Sequence, residues 1–119
     1  MAVTKSVTVV ANDTVVTAGA GLTTTIGYGL QTVYSAMALL EITNGATAPT
    51  VMGEIEIQIS SDNANWYAVN KWYGDAKSNG VGVSQYLYPI AVQYTRFVYG
   101  ANTGQNVTFR IELLKVDAV

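Results

Sequence analysis

Along most of the chain, apolar and polar residues alternate with a period of two, the spacing of a strand with one buried face. Residues 50–60, TVMGEIEIQIS, are the clearest case. Val51, Gly53, Ile55, Ile57 and Ile59 face one way; Met52, Glu54, Glu56, Gln58 and Ser60 face the other. One wet face predicts an antiparallel sheet. Residues 61–65, SDNAN, are types that bond their own backbone or tolerate positive φ, so they predict a turn. Residues 66–73, WYAVNKWY, read as the return strand. Further on, residues 81–88 place Val81, Val83 and Leu87 on one face, and Pro89 marks the strand's end or an edge. Residues 90–100 group Ile90, Val92, Tyr94 and Val98, with Arg96 in the same register. Residues 107–116 predict a last strand with Val107, Phe109, Ile111 and Leu113 inward.

The first third is less regular. Residues 4–11 predict a strand carrying Val7 and Val9 on one face, after which AND turns the chain into TVVTA. AGAG is a loop, and LTTTIGY, residues 22–28, is a polar strand. Residues 32–43 fit a helix or a strand. The β-rich neighbours and the following NGATAP turn favour a strand, with Ala36, Ala38, Leu40 and Ile42 on one face. About eight short strands separated by regular turns predict an all-β fold: a single antiparallel β-sandwich, jelly-roll-like, over residues 1–119. Residues 1–11 read as an N-terminal arm or an edge strand.

Composition narrows the function. Charged residues are 12% of the 119, about half the usual share of about 25%. The net charge is −2 and the six basic residues are scattered. Nucleic acid is not an expected partner, because phosphate binding needs a basic cluster. A membrane is not expected either. No polybasic patch exists, and the longest largely apolar run, residues 30–40, is too short to cross a bilayer. The first residues lack a basic segment ahead of an apolar run, so no secretory signal is expected. Histidine and cysteine are both absent. A Ser-His-Asp triad, thiol chemistry and the commonest metal ligands are therefore excluded. No catalytic residue, cofactor or metal is expected.

The strand–hairpin Ser60, Asp62 and Trp66, of the form S-x-D-x-x-x-W, recurs with a late aromatic-x-Arg-aromatic strand, here Tyr94, Arg96 and Phe97, and a Thr103-Gly104 turn. Together they resemble the small β-sandwich structural proteins of tailed-bacteriophage virions. The resemblance covers the last two thirds of the chain. It implies a capsid decoration or head–tail accessory protein, located in the virion after assembly in the host cytoplasm. Carbohydrate-binding jelly rolls share the same hairpin, and a sugar-binding module is the competing function.

Several side chains are candidates for a role. Trp66, just past a turn, reads as a fold residue that covers the end of the core, with ligand stacking and subunit contact as alternatives. Trp72 and Tyr73 are adjacent, so one faces the core and the other does not. The outer one is an interface anchor or, in the case of Trp72 with Asn70, Asp75 and Asn79, a sugar platform. Asp62 with Asn63 and Asn65 is too poor in carboxylates for calcium and reads as turn capping. Glu54 and Glu56 read as solvated surface charges rather than a catalytic pair. Arg96 is expected to be buried and paired with a carboxylate, with a place at a strand end as the alternative. Val7 and Val9 lie on the strand expected to join copies of the chain, since a free, weakly charged edge invites pairing. The expected partners are further copies of the chain and other virion proteins.

Overall fold

The computed structural model describes residues 3–118; residues 1, 2 and 119, at the ends of the expected domain, lie outside the described residues. Nine strands follow in order: β1 (Val3–Val16), β2 (Leu22–Thr24), β3 (Tyr28–Gly29), β4 (Val33–Asn44), β5 (Glu54–Ser60), β6 (Tyr67–Tyr73), β7 (Val81–Leu87), β8 (Tyr94–Gly100) and β9 (Val107–Ala118). They form two sheets, one in the order β1-β9-β4-β7 and the other β2-β8-β5-β6, with β3 also on β8. Every strand pairing is antiparallel. With β2 and β3 counted as one interrupted strand, eight strands run 1-8-3-6 in one sheet and 2-7-4-5 in the other. That order is the double Greek key of a jelly roll. The expected all-β sandwich is therefore the fold.

The core lies between the sheets and is built from the alternate positions of long strands. Ala38, Leu40 and Ile42 of β4 meet Phe109, Ile111 and Leu113 of β9 on one side. Ile55 and Ile57 of β5 and Phe97 and Tyr99 of β8 supply the other. Full burial of each such aliphatic or aromatic side chain stabilises the fold by about 1.5–3 kcal/mol. Phe109 fixes one backbone choice: a Cβ at Gly53 would lie 2.6 Å from its ring, so only glycine lets the chain pass there.

Four expectations about the strands change. The AND segment is not a turn. β1 runs through it, and register shifts between Val9 and Ala11 and between Ala11 and Thr14 take up the extra residues as bulges. Asp13 sits at φ 48°, which an Asp accepts more readily than most residues. LTTTIGY is not continuous, because the pairing with β8 breaks between Thr24 and Tyr28 and leaves Ile26 exposed. Val51 lies outside β5 in an isolated bridge to Thr103 and is exposed. The phase of β8 is shifted by one: Thr95, Phe97 and Tyr99 point inward, and Arg96 points out. The strand starts only at Tyr94, so a count begun at Ile90 carries the wrong parity across an irregular loop.

Thr95 is a polar residue in the core, and its hydrogen bonds account for it. Its hydroxyl donates to the Gln58 carbonyl at 3.0 Å. A hydroxyl has one proton, so the 2.6 Å contact with Tyr88 must have the Tyr88 hydroxyl as donor. Tyr88 follows β7 in one sheet and Thr95 lies in β8 of the other, so this pair ties the sheets together.

Candidate functional site

The hairpin between β5 and β6 is organised by one carboxylate. Asp62 accepts hydrogen bonds from the backbone N–H groups of Ala64 and Asn65, each at 2.9 Å, and from Asn65 Nδ2 at 2.7 Å. Ser60 Oγ donates to it at 2.9 Å and accepts from the Asn63 N–H at 3.0 Å. The Asn65 and Ala64 amides, then the Asn65 and Ser60 side chains, hold the Asp62 carboxyl far below its usual range. The turn-capping reading of Asp62, Asn63 and Asn65 describes this geometry.

The turn delivers Trp66 to the outside of the β2-β8-β5-β6 sheet. The Arg96 guanidinium lies 4.5 Å from the Trp66 ring centroid, a cation–π contact worth about 0.5–1 kcal/mol at an exposed site. A Cβ at Gly27 would come within 3.0 Å of the indole, so the hairpin tip rests against the β2–β3 link. Trp66 is half-buried and stands apart from the buried core cluster. It pins the outer surface of the sheet instead of covering the end of the core.

Arg96 takes a different partner from the expected carboxylate. Its Nε donates to Gln58 Oε1 at 2.7 Å, and Gln58 Nε2 donates to Glu56 Oε2 at 2.6 Å. Lys71 then bridges Glu56 at 3.7 Å and Glu54 at 3.3 Å. The hydrogen bond and charge of Glu54 raise the Lys71 pKa. A polar chain from Trp66 to Glu54 thus crosses the outer face of this sheet. Glu54 and Glu56 are joined by one lysine, so they are neither a free acid pair nor fully solvated.

Trp72 and Tyr73 divide as adjacency requires. Trp72 packs against the core cluster, and a Cβ at Gly82 would meet its ring at 2.8 Å. Tyr73 is the exposed member, on the outer face opposite Glu54. The sugar-platform reading needs the Trp72 ring outside, and it faces in.

Two buried asparagines hold loops. Asn44 Nδ2 donates to the carbonyls of Asp75 and Lys77 at 2.6 and 2.9 Å and fixes residues 74–80. Asn102 Nδ2 donates to the carbonyls of Val16 and Gln105 at 3.0 and 2.9 Å. Asn44 continues the inward phase of Ala38, Leu40 and Ile42, and that parity was the available signal. Asn102 follows the positive-φ residues Gly100 and Ala101, where parity no longer applies.

Val7 and Val9 lie on β1, an edge strand that pairs with β9 of its own sandwich. Both are exposed on the outer face of the sheet. Val7 aligns with Leu114, Met37 and Leu87 in one row across all four strands. Val7 is 56% and Leu87 68% exposed. The row borders an open apolar depression of about 470 Å³. At the far edge, β7 (VGVSQYL) carries no charge, and Val81, Val83 and Leu87 share its solvent face.

No protein-family model matches the chain, and no curated protein matches its sequence. Solved structures do match its fold. The structure of infectious bursal disease virus, Gx strain, superposes with a TM-score of 0.61 at 10% identity, over 97% of this chain and 32% of that one. The PBSX exported protein XepA gives 0.60 at 15% identity, over 96% and 37%. Dimeric latent PorU from Porphyromonas gingivalis gives 0.55 at 8% identity, over 98% and 13%. The chain spans about a third or less of these three solved chains, and the likeness is one of fold.

Proposed function

We propose that the chain is a non-enzymatic structural protein of a tailed-phage virion, of the capsid decoration or head–tail accessory kind. It acts through contacts with copies of itself and with other virion proteins. The observation that carries this reading is the apolar row Val7–Leu114–Met37–Leu87 on the outside of a finished sandwich. The core is already complete, and contiguous exposed apolar surface of this kind marks interaction sites. The jelly-roll order of strands supports the reading, because that architecture recurs in viral capsids. Low charge supports it too, since few ions need to be desolvated when large areas are covered. The mechanism is geometric: two rigid sheets present fixed outer faces. Without histidine or cysteine, and with Glu54 and Glu56 held by Lys71, the surface offers contacts rather than acid–base chemistry. The test is a density gradient of particles from the source culture, probed with an antibody to the chain. Banding with intact particles is the expected result; recovery only in the soluble fraction refutes the assignment.

A further inference from the structure

We infer that the outer face of the β1-β9-β4-β7 sheet binds a second copy of the same chain, face to face about a two-fold axis along the apolar row. The inference rests on the reading of the protein as one that self-associates and specifies the surface involved. Three observations favour a second copy over a different partner.

The first is area. Four strands about 4.8 Å apart, with about nine residues each rising about 3.4 Å, make a face of about 20 by 30 Å. Two such faces cover about 1,200 Å² in total, the lower bound of a stable interface. The second is composition. The middle of the face is apolar from edge to edge: Val7, Leu114, Met37 and Leu87, with Leu39 and Val83 beside them. A two-fold along this row lays it on its own copy, so each apolar side chain meets an apolar side chain.

The third is charge. Lys5 stands on one side of the row. On the other side are Asp13, Glu41 and Glu112, with Arg110 bonded to Asp13 at 3.3 Å and Glu112 at 2.9 Å. Neither Lys5 nor Glu41 has an ion-pair partner among the described residues. A two-fold along the row reverses strand direction between copies. It carries Lys5 of each copy toward the acidic side of the other. An axis parallel to the strands instead brings lysine toward lysine and acid toward acid.

The chain has no cysteine, so one introduced thiol reports the geometry. Light scattering of the purified chain is expected to show twice the 12.7 kDa mass. Leu87→Cys, close to the axis, is expected to give a disulfide-linked dimer on oxidation. Tyr73→Cys, on the opposite sheet, is expected to stay uncrosslinked. Leu87→Glu is expected to weaken association at least tenfold by placing two carboxylates near each other. Lys5→Glu is expected to weaken it as well. Circular dichroism checks that the variants fold, and the cysteine comparison stands even if Leu87→Glu does not. A monomer at every concentration overturns the inference, as does crosslinking at Tyr73→Cys equal to that at Leu87→Cys. These outcomes are independent of the particle gradient. A monomer that bands with particles removes only the dimer, and a dimer that never bands with them removes only the virion assignment.

Discussion

Tyr88 and Asp62 show how single polar atoms set the working range of this sandwich. Burial, reinforced by Tyr86, pushes the Tyr88 hydroxyl well above its ordinary value. An acid raised in the folded state keeps its full contribution below its unfolded pKa of about 10 and loses it as pH rises further. Tyr88→Phe removes the inter-sheet hydrogen bond and should cost about 0.5–1.5 kcal/mol in urea unfolding at neutral pH. Its stability should also fall less steeply than the wild type's above pH 10, and an identical fall would exclude Tyr88 as the source. Asp62 has the opposite sign. Its folded pKa is depressed, so its contribution is complete above the unfolded value of about 4 and disappears as pH falls toward the folded one. Asp62→Asn should therefore melt below the wild type at pH 7, with the gap closing toward pH 2. A gap of constant size across that range would mean that the carboxylate charge is not what holds the turn.

At the scale of elements, the long strands were legible and the interruptions were not. β4 from Ala36, β5 as far as Ile57 and β9 as far as Leu113 keep a period of two, and their inward residues Leu40, Ile42, Ile55, Ile57, Phe109 and Ile111 could be read directly; at the end of β5 the period slips and Ser60, expected outward, is buried. The phase of β8 is hidden from a count begun at Ile90, because parity does not carry through the loop after Pro89. Thr95, a polar residue, occupies a core position that alternation assigns to an apolar one. The bulges in β1 escaped for a related reason: AND has turn chemistry, and only pairing with β9 shows that the strand continues. Of the candidate residues, the Asp62 turn follows from local chemistry. The Arg96–Gln58–Glu56–Lys71 chain needs three strands side by side, which no linear pattern reveals. Asn44 is a further case of long-range holding. Asn44→Ala removes the side-chain donor to the Asp75 carbonyl and one of the two donors to the Lys77 carbonyl, and should cost about 1–3 kcal/mol. The loss should be local. Amide exchange should accelerate at Asn79 and Gly80, which bond to Gly45 and Lys77, while β9 amides keep their protection. Uniform acceleration through β9 would mean that the loop and the core unfold as one unit.

The whole molecule is an elongated slab, 50 by 27 by 17 Å, with unlike outer faces. One sheet carries the polar chain from Trp66 to Glu54; the other carries the apolar row from Val7 to Leu87. In the proposed assembly, this asymmetry leaves one face for water and one for a neighbour. A sandwich with net charge −2 has little self-repulsion to oppose such contacts. We propose that the molecule works as a structural component of a particle, and direct occupancy tests it. Particles purified on a density gradient from the source culture should contain the chain at a fixed ratio to the major shell or tail protein, constant across the particle peak. Particles that are intact and infectious but free of the chain would contradict the account.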